Sequence, residues 1–169
     1  MLKKILTLFF IITSNGVLAL SIGDRAPNFS LPNQNNEAKM LNEHLGSWVI
    51  LYFYPMDDTP GCTTEACNFR DAIDKIIAKK AVVYGVSLDS IESHKKFSDR
   101  YKLTFSILSD SSGNVSKSYE SLSDFLIWKT ANRNTFIIDP EGKIAKIYTG
   151  VDPKTHVQVV LRDLIKLQL

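Results

Sequence analysis

The chain has 169 residues, 44 % of them hydrophobic and 22 % charged, with a formal charge of +2. That length and apolar content suit one ordinary domain with a real core, and exclude a fibrous or disordered chain. No basic tract or aromatic-basic stripe marks a nucleic-acid surface, and the small net charge excludes strong electrostatic steering of a charged ligand.

Lys3 and Lys4 precede an apolar run from Ile5 to Ile12, and Ser14-Asn15-Gly16 then leads into Val17-Leu18-Ala19, a small-residue cleavage pattern. Residues 1–21 read as a secretory signal peptide, with cleavage near Leu20 or Ile22, followed by one domain over residues 22–169. The alternative is an uncleaved anchor, but the run is short against the ~20 apolar residues that cross a bilayer. Loss of Lys3 and Lys4 leaves 18 basic residues against 18 acidic, so the pI of 8.5 is in part a property of the leader. The expected location is outside the cytoplasm, in the periplasm, with no stable membrane association once the leader is gone. A neutral surface suits a small uncharged substrate.

Further along, Trp48 to Tyr54, Val82 to Leu88 and Thr135 to Ile138 are short, continuous runs rich in β-branched and aromatic residues, as expected of strands covered on both faces. Ile144 to Tyr148 alternates more and follows Asp139-Pro140-Glu141-Gly142, which predicts a hairpin with one wetter edge. Helical patterns lie between. One runs from Cys62 to Lys79 with Ala66, Phe69, Ile73 and Ile76 on one face. A second opens at Ser90 as N-cap and reaches Lys102, and a shorter one spans Asn114 to Tyr119. The last opens with Asp152 as N-cap and Pro153 at the first helical position, with Val157, Val160, Leu161 and Leu164 inward. Strands alternating with helices, then a hairpin and a closing helix, predict an α/β fold of thioredoxin type, a central mixed sheet flanked by helices. Residues 120–131 show no period; Phe125, Leu126, Ile127 and Trp128 are expected to pack as a loop onto the core, the alternative being a partner-facing flap.

Cys62 and Cys67 are the only cysteines. Cys62 lies where an apolar strand gives way to a helix, and the unpaired N–H groups and positive dipole end of a helix start favour a sulfur anion. Residues five apart in an ideal helix have Cα atoms ~8.6 Å apart, beyond the ~7 Å that a disulfide spans. A permanent staple would close a loop of about six residues, return roughly 2 kcal/mol and break the first helical turns. A bond that forms on unwinding and is then reduced fits the spacing better, since strained and exposed disulfides are the labile kind. A static staple, or two unpaired thiols, are the other readings.

The segment from Tyr52 to Asp71, with Pro55, Thr59 and Cys62 in Pro-x-x-x-Thr-x-x-Cys register, resembles the active-site signature of the peroxiredoxins, and Cys67 five residues on resembles the bacterioferritin comigratory protein, or Q-type, branch. Arg133-Asn134-Thr135-Phe136-Ile137-Ile138-Asp139 is similar to that branch's Arg-x-Thr-Phe-x-Ile-Asp strand, and Gly23-Asp24-Arg25-Ala26-Pro27-Asn28-Phe29 to its opening segment. Met56 stands where that branch often has Lys. The resemblance implies a peroxiredoxin fold and thiol-dependent reduction of hydrogen peroxide or alkyl hydroperoxides. In it Cys62 becomes a sulfenic acid, Cys67 condenses with it to an intramolecular disulfide, and an external thioredoxin-like dithiol protein reduces that bond. A monomer is expected, because an intramolecular bond needs no second chain.

Thiolate content does not explain a fast peroxidase. Lowering a cysteine's pKa from ~8.5 to ~6 raises the thiolate at pH 7 about 30-fold, but a Brønsted coefficient near 0.45 removes roughly 13-fold in nucleophilicity. The rest must come from groups that align the peroxide and stabilise charge on the leaving oxygen. Candidates are the Thr59 hydroxyl, the Gly61 and Cys62 N–H groups and the Arg133 guanidinium. Pro55 and Pro60 restrict the loop, and Gly61 leaves room for substrate. Thr59 is alternatively a plain helix cap, and Arg133 a structural ion pair with Glu65 or an Asp. Glu65 reads equally as a capping residue or as the group that orients Arg133.

Asp57 and Asp58 would oppose a thiolate and read as solvated loop residues or helix-dipole partners rather than as proton acceptors. His44, His94 and His156, without ligand spacing, read as surface residues, and no metal, haem or other cofactor is expected. Trp48 and Tyr54 read as core. The competing function is an exported thiol-disulfide oxidoreductase of the same fold, against which stand the C-x₄-C spacing and the absence of proline between Pro60 and Pro140. A copper-binding domain is a third reading, without a nearby Met or His to complete a site.

Overall fold

The computed structural model describes residues 19–125 and 127–169; the expected leader falls almost wholly outside them. Its framework is a five-stranded mixed sheet. Strands β3 (Trp48–Phe53), β4 (Ala81–Ser87) and β5 (Ser106–Ser109) run parallel, and β8 (Thr135–Ile138) and β9 (Ile144–Tyr148) continue the sheet antiparallel on the other side of β3, in the order β5-β4-β3-β8-β9. Two small antiparallel pairs stand apart, β1 (Ser30–Pro32) with β2 (Ala38–Met40) and β6 (Leu122–Phe125) with β7 (Trp128–Ala131).

The continuous apolar character of β3 follows from its position. Ile50, Tyr52 and Tyr54 point into one core with helices α1 (Pro60–Asp71), α2 (Ile73–Ile77), α3 (Ile91–Tyr101) and α5 (His156–Leu167). Val49, Leu51 and Phe53 point into a second core, closed by the β1–β2 segment, the 3-10 turn Leu41–His44 and Tyr119 just beyond α4 (Asn114–Ser118). Between β3 and β4, Tyr52 stands opposite Gly85, and a Cβ on Gly85 would lie 2.6 Å from the Tyr52 ring. The glycine is what lets that ring lie flat and stack on Phe69 at a centroid distance of 4.7 Å.

Three expected elements differ. The helix from Cys62 breaks at Ala72 (φ −97°, ψ 0°), whose N–H is shared between the Asn68 and Phe69 carbonyls, and the chain re-enters a short helix that buries Ile76 and leaves Ile77 outside. The last helix starts at His156, not at Pro153: the Asp152 carboxylate accepts the Lys154 N–H at 3.0 Å, closing a local turn that competes with a helix start. Residues 120–131 form the β6–β7 hairpin, whose tip residues Phe125, Ile127 and Trp128 are exposed and do not pack onto the core. Ser90 caps α3 as expected, accepting the Ser93 N–H at 3.2 Å.

The leading segment lines parts of both sheet edges. Gly23 and Asp24 exchange backbone hydrogen bonds with Ile144 at the start of β9. At the other edge the Gln34 side chain behaves like a strand residue, accepting the Ile107 N–H and donating to the Phe105 carbonyl, both at 3.0 Å.

Candidate active site

The antiparallel pairing of β3 and β8 decides where the site lies. Tyr52 stands opposite Thr135, and the Phe53 N–H donates to the Asn134 carbonyl at 2.7 Å. Arg133, just before β8, is therefore placed beside the end of β3, where the chain leaves the sheet for α1. Thr59 is extended (ψ 147°), Pro60 takes the first helical position where its missing N–H costs nothing, and Cys62 falls in the first turn.

There the Arg133 guanidinium reaches two groups at once. Its Nη2 donates to Cys62 Sγ at 3.3 Å and its Nη1 to Glu65 Oε2 at 2.6 Å. Cys62 and Glu65 are three residues apart on one helical face, and both are buried, at 1 % and 0 % exposure. Burial pushes the Glu65 carboxyl up to about 7, against the pull of Arg133. Burial also works against the charge on Arg133, but the Cys62 sulfur and the Glu65 carboxylate outweigh it and hold the guanidinium above its ordinary value. A Cβ on Gly61 would come within 3.1 Å of Arg133 Nη2, so the missing side chain is what admits the arginine. Cys67, further along the same unbroken helix, is partly exposed, and both thiols are free.

The sequence pattern of the AhpC/TSA family matches residues 22–147. A putative peroxiredoxin Bcp of Coxiella burnetii is 40 % identical over 151 residues, covering 87 % of this chain and 100 % of that one. The chain belongs to the AhpC/TSA family. The structure of a peroxiredoxin Q Cys-to-Ser mutant from Xylella fastidiosa superposes with a TM-score of 0.84 at 30 % identity, covering 90 % and 99 % of the two chains. A Xanthomonas campestris bacterioferritin comigratory protein, whose structures concern alkyl peroxide reduction, gives 0.78 at 29 % identity, covering 82 % and 90 %. The fold is thus the thioredoxin-like fold of the peroxiredoxins, in the Bcp/Q branch, and the chain is a peroxidase.

In this peroxiredoxin the other candidate residues are placed as follows. The Thr59 hydroxyl does not cap α1; it donates to the Met56 carbonyl at 3.0 Å, within the loop. The Pro55 carbonyl accepts the Thr130 hydroxyl at 3.1 Å, which ties the base of the β6–β7 hairpin to the active-site loop. Phe125 and Trp128, 66 % and 58 % exposed, face each other across the hairpin tip. Of the two readings of Glu65, the structure gives the one that orients Arg133.

Several polar residues lie elsewhere than expected. His94 and His156 are buried, and only His44, hydrogen-bonded to Tyr84 at 2.6 Å, is near the surface. Burial and the nearby Arg133 charge push His156 down to about 4, and its Nε2 meets the Thr135 hydroxyl at 2.8 Å. Asp57 is buried as well: Oδ1 accepts the Tyr54 hydroxyl at 2.8 Å, and Oδ2 accepts Ser93 at 2.7 Å and meets His94 Nδ1 at 2.9 Å. Asp58 stays at the surface, in a left-handed conformation (φ 57°), paired with Arg100. The spacing of His94 with Phe97 and Tyr101 on one helical face was a usable sign of burial; nothing near Asp57 in sequence announced its partners. Among the described residues Asp57, Asp89 and His94 are the one such group whose ligand atoms gather closely enough to hold a cation, but hydroxyl, backbone and ring N–H donors already occupy the carboxylate oxygens that face inward.

Proposed function

We infer that this chain reduces hydrogen peroxide and alkyl hydroperoxides at Cys62, and the contact of one guanidinium with both Cys62 Sγ and the buried Glu65 is the observation that carries the reading. Cys62 as thiolate attacks one peroxide oxygen. The S–O bond forms as the O–O bond breaks, the leaving oxygen takes a proton and departs as water or alcohol, and Cys62 remains as sulfenic acid. Arg133, held by Glu65, presents fixed positive charge to the transition state without reorganising during the step. The Cys67 thiol then displaces hydroxide from the sulfenic sulfur, which leaves as water with the thiol's proton, giving a Cys62–Cys67 disulfide. Because both cysteines share one helix, this second step requires the first turns of α1 to unwind.

Recycling of the disulfide is assigned to a thioredoxin-like dithiol protein. Export to the periplasm rests on the Lys3-Lys4, Ile5–Ile12 and Val17-Leu18-Ala19 pattern, and a monomeric mature form on the intramolecular bond. Intact mass of the exported protein tests the leader, and sedimentation tests the monomer.

The central test is to mix reduced protein with one equivalent of hydrogen peroxide and follow free thiols. Two thiols per chain disappear rapidly in the wild type. Cys67→Ser accumulates a trappable sulfenic acid at Cys62, and Cys62→Ser abolishes turnover. Thiol loss no faster than that of free cysteine rejects the reading.

A further inference from the structure

The buried cluster beneath the loop before α1 takes no part in the chemistry above. Asp57 lies five residues before Cys62, and its carboxylate gathers the Tyr54 hydroxyl, the Ser93 hydroxyl and the His94 ring from two different parts of the chain. Its backbone N–H is also bound, to Asp89 Oδ2 at 3.0 Å, and that carboxylate oxygen accepts the Ser87 hydroxyl at 2.6 Å. His94 is wholly buried on α3, and its Nε2 has no partner. Such a fully desolvated polar group is retained against a cost, and its shortest polar contact, 2.9 Å to Asp57 against 3.5 Å to the Tyr54 hydroxyl, is with the active-site loop.

We propose that Asp57 and His94 form a latch that pins the active-site loop to α3 and so sets how readily α1 unwinds for disulfide formation. The proposal rests on the peroxidase reading. With Asp57 pinned, only residues 58–61 are free to rearrange when Cys62 leaves the helix, and of these Pro60 has a fixed φ and Asp58 is already left-handed. With its side chain released, Asp57 keeps only its N–H bond to Asp89, and the loop between Pro55, tied to Thr130, and Cys62 gains freedom within that bond and the Asp58–Arg100 pair. Cutting the latch removes contacts that only the closed state makes, so the population of the open state rises. Two consequences oppose one another. Closed, the latch keeps Cys62 against Arg133 and favours attack on peroxide. Open, it lets Cys67 capture the sulfenic acid before a second peroxide oxidises it to sulfinic acid. Asp57 and His94 are positioning residues, acting on the reaction through the loop.

The test follows Cys62 sulfenic acid and Cys67 thiol by rapid quench after one equivalent of hydrogen peroxide, in wild type, Asp57→Asn and Ser93→Ala. Condensation to the disulfide should be about tenfold faster in Asp57→Asn, which weakens every bond to that carboxylate, and about threefold faster in Ser93→Ala, which removes one hydroxyl donor to it. The peroxide concentration that inactivates half the enzyme should rise in the same order. His94→Leu should accelerate condensation, and His94→Asn, which keeps a donor where Nδ1 lies, should restore the wild-type rate. Simple damage to packing would lower rates and give no such rescue. A folded Ser93→Ala or Asp57→Asn that condenses at or below the wild-type rate overturns the latch while leaving the peroxidase intact. A wild type that forms no sulfenic acid removes both.

Discussion

Arg133 separates two accounts of the same chemistry. If its charge mattered only by favouring the thiolate, its loss would vanish at a pH high enough to ionise any cysteine. The guanidinium instead sits between Cys62 and a fully buried carboxyl, fixed before substrate arrives. Arg133→Ala should therefore slow sulfenic acid formation by about 10²- to 10³-fold, the usual effect of removing one preorganised donor, and stopped-flow measurement at pH 10 should show most of that loss still present. Cys62 was legible from its place where a strand gives way to a helix, Arg133 from the resemblance of the strand that it precedes, and Glu65 only as one of two equal readings. Asp57 was not. A carboxylate beside a helix start reads as repulsive to a thiolate, and only the fold brings Ser93 and His94, from α3, to turn it away.

Apolar runs and periodicity located β3, β4, β8, β9 and α3, each of which packs apolar residues onto one or both of the two cores. They failed where a local hydrogen bond or a very short segment decided the outcome. β5 is four residues with serine at both ends, and only pairing with β4 makes it a strand. Asp152 reads as a cap until its side chain is seen to close a turn on Lys154. The Gly85–Tyr52 contact belongs to the same class, since neither residue alone indicates that a ring must pass over a neighbouring strand. Gly85→Ala would press a methyl group into that ring at 2.6 Å, and should destabilise the protein by about 2–4 kcal/mol in urea unfolding, with near-ultraviolet circular dichroism of the stacked tyrosines altered.

Two buried ionisable groups that feel the Arg133 charge give the molecule opposing responses to pH. Glu65, raised from 4.5 to about 7, keeps a proton in the folded state that the unfolded chain releases, so its contribution to stability falls as pH rises through that window. His156, lowered from 6.5 to about 4, is neutral when folded and charged when unfolded over most of that range, so its contribution rises with pH and is lost on acidification. Between about 4.5 and 6.5 the two slopes cancel. His156→Gln, which keeps an amide near the Thr135 hydroxyl, should uncover the Glu65 slope: relative to wild type, its stability from urea unfolding should decline by roughly 1 kcal/mol per pH unit from pH 4.5 to 6.5. A constant difference across that range would contradict the assignment.

The segment that begins at Gly23 covers backbone that would otherwise be a template for another molecule. The Gln34 amide occupies Ile107 and Phe105 on one border, and Gly23 with Asp24 occupies Ile144 on the other. A chain clipped after residue 34 would bare both borders and strip Ala26, Phe29 and Leu31 from the second core. Such a fragment would be prone to assemble with its own copies in rows, its strands completing one another, so an intact beginning guards solubility in a protein whose chemistry lies elsewhere.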